Sequence, residues 1–426
     1  MRWRAVRWVS PGASHVWRGG CRLTEQEFDV AIVGGGMVGA GLALALSREG
    51  FTVTVLEARH PELRWPDEGF DLRVSALTRA SQHLLDNLGV WTAIVADRAT
   101  AYRQMHVWDR AGFGEIHFDA ADIAEPDLGH IVENRVIVRA LWQALERSEV
   151  VCCAPVKVRR LMHGQDGTEV QLDDRRRIHT RLLVAADGAR SQVRELVGIE
   201  SRSEPYDQHA LVATVHAEHG NQETAWQRFM QDGPLALLPM RHDLFSIVWS
   251  NRPDEAERLA ALDESAFNDQ LTEASESRLG RLSVCSDRAV FPLRLQHAAE
   301  YVRPGIALVG DAAHVIHPLA GQGVNLGFLD AAALVDAVRA GRDARRDIGE
   351  LRVLRHYERS RKGHNTATQL AMDGFKHLFS NDRPALALVR NLGLGVAGRI
   401  GPLRRQFERV ALGHGIELPS LSRPRW

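Results

Sequence analysis

Residues 28–57 read FDVAIVGGGMVGAGLALALSREGFTVTVLE, and the division of this stretch decides the fold. Residues 28–33 are a short apolar run, 37–49 have helical apolar spacing, and 51–56 form a second apolar, β-branched run after Gly50. Strand, helix and strand within ~30 residues make a βαβ unit, which requires a parallel sheet and an α/β fold. Between the first strand and the helix lie Gly34, Gly36 and Gly39 in G-x-G-x-x-G spacing. The first glycine permits a tight turn, the second lets a pyrophosphate approach the backbone, and the third permits close helix–strand packing. The phosphate then rests on the helix N-terminus, where free amides and the dipole favour an anion. Glu57 follows at the end of the second strand, where an acid can bind ribose hydroxyls. The glycine pattern alone is weak evidence, but with strand, helix and acid in place it outweighs a simple glycine turn. Gly393, Gly395 and Gly398 repeat the pattern near the chain end without a second βα unit, and read as chance or helix packing.

The rest of the chain bounds the function classes. Its 426 residues suggest two or three domains, and 45% apolar with 25% charged residues is an ordinary globular composition. A net charge of −1 gives no reason to expect a nucleic-acid partner or a polybasic membrane tether. Cys21, Cys152, Cys153 and Cys285 include no pair with metal-ligand spacing, so no metal is expected. The uncharged run at 30–47 approaches membrane-spanning length but is rich in glycine and carries the phosphate pattern, which argues against a transmembrane helix. Residues 1–27 carry Arg2, Arg4, Arg7, Arg18 and Arg22 before the first acid, Glu25. They read as a disordered or misassigned leader, or as a transit peptide, and are set outside the fold.

Helical spacing recurs at 79–88 and 136–146, and a buried-type strand at 182–186. From 206 to 290 the texture changes to short alternating runs at 210–216, 226–229, 235–239 and 245–250, with a helical excursion near 254–272. The buried strand pattern returns at 306–310 and leads into a long helix after Gly323. One domain is therefore interrupted by another. The expected organisation is a Rossmann-like dinucleotide domain at 28–204, with a small β insertion, and at 291–355. An antiparallel β-sheet domain at 205–290 interrupts it, and a helical region at 356–426 follows.

Two further segments bear on whether the dinucleotide is FAD or NAD. Residues 183–191 (LVAADGARS) run from a strand into a turn, with Arg194 beyond, and 309–314 (VGDAAH) again follow a strand. Here the chain resembles the class A flavoprotein monooxygenases, the family with the para-hydroxybenzoate hydroxylase fold. Their D-G-x-x-S-x-x-R segment is matched by Asp187, Gly188, Ser191 and Arg194, and their G-D segment by Gly310 and Asp311. The resemblance implies that Asp311 binds the flavin ribityl chain. Residues 317–330 (HPLAGQGVNLGFLD) are similar to the signature of the ubiquinone-biosynthesis hydroxylases within that family. In it Gly321 precedes Gly323, Val324 and Asn325, which open a helix whose amides can face the flavin pyrimidine edge. Arg73, Asn134 and Arg139 occupy the places of further family flavin contacts. The resemblance spans about 28–412, and the stretches 88–91, 132–134, 232–234 and 389–394 resemble the bacterial demethoxyubiquinol hydroxylases most.

The resemblance implies FAD as cofactor, NAD(P)H as electron donor and O₂ as co-substrate. One oxygen atom would pass through a flavin C4a-hydroperoxide to the ring of a polyprenylated phenol or quinol, a ubiquinone precursor. It also implies a ubiquinone-biosynthesis enzyme complex and peripheral contact with a membrane. The compartment would be the cytoplasm, at the inner face of the membrane, or the mitochondrial matrix if the leader is a transit peptide. Because flavin carries the difficult chemistry, no nucleophile–base constellation is needed and none stands out. The catalytic residues stay unassigned, with His317 and Pro318 as candidates beside His314. Trp226, Phe229, Leu238 and Trp249 are either cavity lining or plain core. Phe375, Leu378, Phe379, Arg404 and Arg405 either touch lipid or a partner, or pack on the FAD domain. Two alternatives stay open: a flavin hydroxylase acting at another ring position or on a soluble phenolic acid, and a non-catalytic flavin-bearing subunit.

Overall fold

Val30, Ala31 and Ile32 have no accessible surface, because their strand, Glu25–Val33, lies inside a sheet covered on both faces. The computed structural model describes residues 25–66, 69–109, 115–164, 166–316, 323–379 and 418–424. In the first sheet the strands run in the order Val302–Arg303, Ile306–Leu308, Arg177–Ala185, Glu25–Val33, Val53–Leu56, Val151–Cys153. All are parallel except the first, and the first half of Arg177–Ala185 also carries an antiparallel arm, Gly167–Leu172 and Val158–Gly164. Register places Val33 opposite both Leu56 and Ala185, and Ala185 opposite Leu308. The turns after three neighbouring strands therefore open side by side, where α/β sheets bind their ligands.

The helices are α1 (Met37–Arg48), α2 (Arg79–Asn87), α3 (Trp91–Arg98), α4 (Asn134–Leu145), α5 (Gln192–Leu196), α6 (Pro253–Ala261), α7 (Glu264–Ala274), α8 (Gly323–Asp343) and α9 (Leu351–Phe379). Helix α1 packs on α4 and α8, and α8 on α9. The helical excursion near 254–272 is two helices, split where Asp263 caps α7 by accepting from the Ala266 amide. The helical expectation for 356–412 is met over α9, and residues 380–417 lie outside the described residues.

The second sheet is nine-stranded and mainly antiparallel, and it gathers distant segments. Its order is His314–Val315, Ala289–Ala298, Ser201–Ala217, Leu244–Asn251, Leu235–Pro239, Thr224–Phe229, Gln104–Asp109, Glu115–Asp119, with Leu282–Val284 at the side of Ser201–Ala217. Gln104–Asp109 pairs in parallel with Thr224–Phe229, so this sheet draws on residues well outside 205–290. The run 210–216 belongs to a 17-residue strand, Ser201–Ala217, whose register shifts between Pro205 and His209. A three-stranded sheet, Val74–Leu77, Gly129–Glu133 and Ala99–Tyr102, lies between the two. Alternation gives the large sheet two apolar faces. Leu211, Leu235, Leu237, Ile247 and Trp249 pack with Leu259, Phe267 and Leu271 of α6 and α7. On the other face Leu238 meets Ala76 and Ile131 of the small sheet.

Candidate active site

The first turn of the cleft is shaped by three glycines with three different surroundings. Gly34 has φ +103°, and a Cβ there would lie 2.3 Å from the Ala186 carbonyl oxygen. At Gly39 a Cβ would lie 2.0 Å from the Gly34 carbonyl oxygen, so helix and strand can approach only without one. A Cβ on Gly36, the residue before α1, would meet nothing within 4 Å. That backbone faces open space above the helix N-terminus, which is a cradle for a diphosphate. The Glu57 carboxylate accepts from the Gly35 amide at 2.6 Å and from the Arg59 amide at 3.0 Å, leaving lone pairs on each oxygen for ribose hydroxyls. Trp142 of α4, fully buried, donates from Nε1 to the Gly35 carbonyl at 2.7 Å and braces the loop from behind.

At the next strand end, Asp187 accepts from the Val193 amide at 3.1 Å. Burial raises its pKa, while Ser191 beside it favours the ionised form. Gly188 turns at φ +83°. Ser191 caps α5, and the buried Arg194 guanidinium donates to the carbonyls of Ala312 at 2.8 Å and Ala189 at 3.0 Å. The D-G-x-x-S-x-x-R arginine thus ties one turn of the cleft to the next.

That next turn holds Gly310 and Asp311. Gly310 has φ +59°, and a Cβ on it would sit 3.4 Å from Val38 of α1 and 3.7 Å from Gly327 of α8, so both helices converge on it. The Asp311 carboxylate is solvent-accessible yet walled by protein. Burial pushes its pKa up, opposed by His314 and Arg73. None of the described residues hydrogen-bonds it, so its oxygens are available to a ligand's hydroxyls.

Among the described residues helix α8 runs from Gly323. Val324 and Asn325 lie in its first turn, but the Asn325 side chain is engaged away from any ligand. Its Oδ1 accepts from the Thr78 amide at 3.0 Å and from Ser81 Oγ at 2.7 Å, and its Nδ2 donates to the Ala76 carbonyl at 2.8 Å. His314 is buried, and its Nε2 lies 2.5 Å from Asp330 Oδ2. Asp330, with no accessible surface, also accepts from the Gly310 amide at 3.1 Å, Arg361 Nε at 2.8 Å and Asn365 Nδ2 at 3.1 Å. Burial alone would raise its pKa, but His314 and Arg361 hold it well below the usual carboxylate range. His314 therefore anchors the loop. His317, Pro318 and Gly321 lie outside the described residues.

Of the remaining candidates, Arg73 stands by the cleft, its guanidinium 5.2 Å over the Phe291 ring and near enough to Asp311 to act on its charge. Its carbonyl accepts from the Asn134 amide at 2.9 Å, and Asn134 Oδ1 accepts from Ser75 Oγ at 2.6 Å. Arg139 pairs with Asp97 and stacks 4.1 Å over Trp65. Glu133 is a structural residue that sequence reading missed. Buried at the start of α4, it accepts from the Asp71 amide at 2.8 Å and from Arg135 Nε at 2.9 Å, which fixes the segment leading to Arg73. Trp226 and Trp249 pack with the α6–α7 side of the sheet, away from the cleft. Phe229 packs with Val107 and Phe118, and Leu238 with the small sheet. The apolar wall beside Arg73 is instead Ala210, Val212, Leu293, Leu72, Val248 and Phe291. Among the described residues no group of His, Cys, Asp or Glu is arranged to hold a metal, and no helix is long and apolar enough to cross a membrane.

A family model described as an FAD binding domain matches residues 27–369. The 3-demethoxyubiquinol 3-hydroxylase of Escherichia coli (strain K12) is 41% identical over 392 residues, 92% of this chain and 100% of that protein. The ubiquinone hydroxylase UbiL of Rhodospirillum rubrum is 38% identical over 403 residues, 94% of this chain and 93% of its own. Among solved structures, p-nitrophenol 4-monooxygenase PnpA from Pseudomonas putida DLL-E4 superposes with a TM-score of 0.74 at 21% identity. That match covers 92% of this chain and 99% of the other, a likeness of fold.

Proposed function

Since the chain belongs to the class A FAD-dependent monooxygenases and is closely related to the ubiquinone hydroxylases, we propose that it hydroxylates the ring of a polyprenylated ubiquinone precursor, a demethoxyubiquinol above all. The observation that carries this reading is the 41% identity to 3-demethoxyubiquinol 3-hydroxylase across that enzyme's whole length. The cleft supports it, because the Gly36 backbone opens onto free space at the start of α1 and the Asp311 carboxylate lies at the turn where α1 and α8 converge.

In this reading the Gly36 backbone and the α1 amides receive the pyrophosphate, with Gly34 and Gly39 allowing the turn. Glu57 holds the adenosine ribose while bonded to the Gly35 amide. Asp311 accepts the ribityl hydroxyls, with Gly310 and Gly188 shaping the turns beside it. Asp187, braced by the Val193 amide, lines the same row of strand ends. The amides at Gly323, Val324 and Asn325, with Gly321 before them, face the flavin pyrimidine edge, where a helix N-terminus favours negative charge. Arg73 is positioned toward the flavin by Asn134, and Arg139 steadies the neighbouring Trp65 segment. When bound, FAD would supply the redox chemistry, with NAD(P)H as the electron donor and O₂ as the source of the oxygen added to the ring.

The protein's own work is to hold the ring and keep water away from it. Leu72, Val212, Val248, Phe291 and Leu293 form the apolar wall suited to that task. His317 and Pro318, which precede α8 in the sequence, are the catalytic candidates of this reading. Contact with a membrane or with other enzymes of the pathway would deliver so apolar a substrate. A quinone profile of a strain lacking the gene tests the reading. It predicts accumulation of a ubiquinone precursor short of one ring oxygen substituent. A normal profile, in a strain with no second hydroxylase of this kind, contradicts it.

A further inference from the structure

The C-terminal residues Leu418–Pro424 return to the dinucleotide domain and settle between α2 and α8. Ser420 donates its amide to Asp336 Oδ2 of α8 at 2.8 Å and its hydroxyl to the other oxygen of the same carboxylate. From the other side, Asn87 at the end of α2 donates from Nδ2 to the carbonyls of Leu421 at 2.8 Å and Arg423 at 3.0 Å. His83 of α2 lies beside the Ser422 backbone. Leu421 packs against the main core, Ser422 has no accessible surface, and Arg423 Nε closes the turn on the Leu418 carbonyl at 2.7 Å. Asn87 is itself buried. Both hydrogen bonds of its amide nitrogen go to the tail, so without the tail they would pass to water and the groove would lose its cover.

The groove joins the same two helices that meet beside the cleft. At their N-terminal ends Asn325 of α8 bonds Thr78 and Ser81 at the start of α2. Farther along, the tail bridges Asn87 at the end of α2 and Asp336 in the second half of α8. Asp336 lies 11 residues beyond Asn325 in the sequence, roughly 16 Å along the helix axis. Arg48 of α1 holds the same corner, donating to the carbonyls of Asn87 and Leu88, each at 2.8 Å. The pair α2–α8 is thus fastened at two places, one at the first turn of α8 and one remote from it. We propose that residues 418–424 are a strap that positions the first turn of α8 for FAD, with Asp336 and Asn87 as its two anchors. The inference rests on FAD binding and is independent of which ring the enzyme hydroxylates.

The test compares the full chain with a chain ending at residue 417, by titrating each apoprotein with FAD and recording the visible circular dichroism of the bound flavin. The strap predicts that truncation weakens FAD binding about tenfold, within the usual range for coupled sites, and changes the flavin dichroism. A synthetic peptide of residues 417–426 added in trans should restore both. Asp336→Asn in the full chain, which keeps the side-chain shape, gives a smaller shift in the same direction and serves if the truncated chain does not fold. An unchanged FAD dissociation constant in the truncated chain, or in Asp336→Asn where that variant stands in, overturns the proposal. So does a loss in a folded truncated chain that the peptide does not reverse.

Discussion

Gly34 and Gly36 are two residues apart, and substitution should separate their roles cleanly. Gly34→Ala puts a Cβ against the Ala186 carbonyl at a positive φ, and should cost at least ~1–3 kcal/mol of stability. Gly36→Val meets no protein atom within 4 Å of its Cβ, so the fold should survive while the diphosphate loses its approach. Urea unfolding beside an FAD titration distinguishes the two: the first variant loses stability, the second loses FAD affinity by tenfold or more. Asp311→Ala should purify largely free of flavin, since a charge-assisted hydrogen bond contributes ~1.5–3 kcal/mol. A visible spectrum reads this directly, and full occupancy at wild-type affinity would contradict the ribityl assignment. Burial holds the Asp311 carboxyl above its ordinary pKa, so in the apoprotein its ionisation begins to oppose folding as the pH passes the ordinary carboxylate value and does so in full above the raised one. Apo Asp311→Asn should therefore melt at a higher temperature than the apo wild type at neutral pH. The gap should close as the pH falls below the ordinary carboxylate range. The glycines and acids of the cleft were legible in the sequence because each sits at a fixed offset from a strand. Trp142 was not, because its partner Gly35 is 107 residues away.

Among the elements, α8 and α9 are joined through Asp330, whose four donors come from the Gly310 turn, the His314 strand and α9. Asp330→Ala leaves Arg361 and His314 buried without their carboxylate, and should cost ~3–5 kcal/mol at neutral pH. Because its folded pKa is depressed, this contribution is present above the ordinary aspartate pKa and disappears only in stronger acid. Urea denaturation of wild type and variant across pH checks both the size and the sign. The Asp330 position falls within the signature at 317–330, but nothing local shows that Arg361 and Asn365 complete its shell. The helices at 37–49, 79–88 and 136–146 were readable because their apolar faces keep helical spacing. The strand Ala289–Ala298 was not, since Pro292 interrupts it and the run is only partly buried. In the structure Pro292 pairs with His209, where the register of the facing strand shifts, so the proline sits where a ladder hydrogen bond is already lost.

At the scale of the whole molecule, the interruption of one domain by another was legible, because buried strand texture on either side of an alternating region survives in sequence. What stayed hidden was how widely the second sheet recruits. Gln104–Asp109 and Thr224–Phe229 are parallel neighbours across more than a hundred residues, and no periodicity announces such a pairing. The return of the C-terminal tail to α2 and α8 was hidden for the same reason: its contacts are side chain to backbone and carry no pattern. The apolar wall of Val212, Leu293 and Phe291 stands beside Arg73. The direct measurement is turnover of the FAD-loaded protein with a demethoxyubiquinol and NAD(P)H under ¹⁸O₂, followed by mass spectrometry of the quinone. A product with one added ring oxygen carrying the label is expected. Consumption of NAD(P)H with hydrogen peroxide as the sole oxygen product, and no label on the ring, would contradict it.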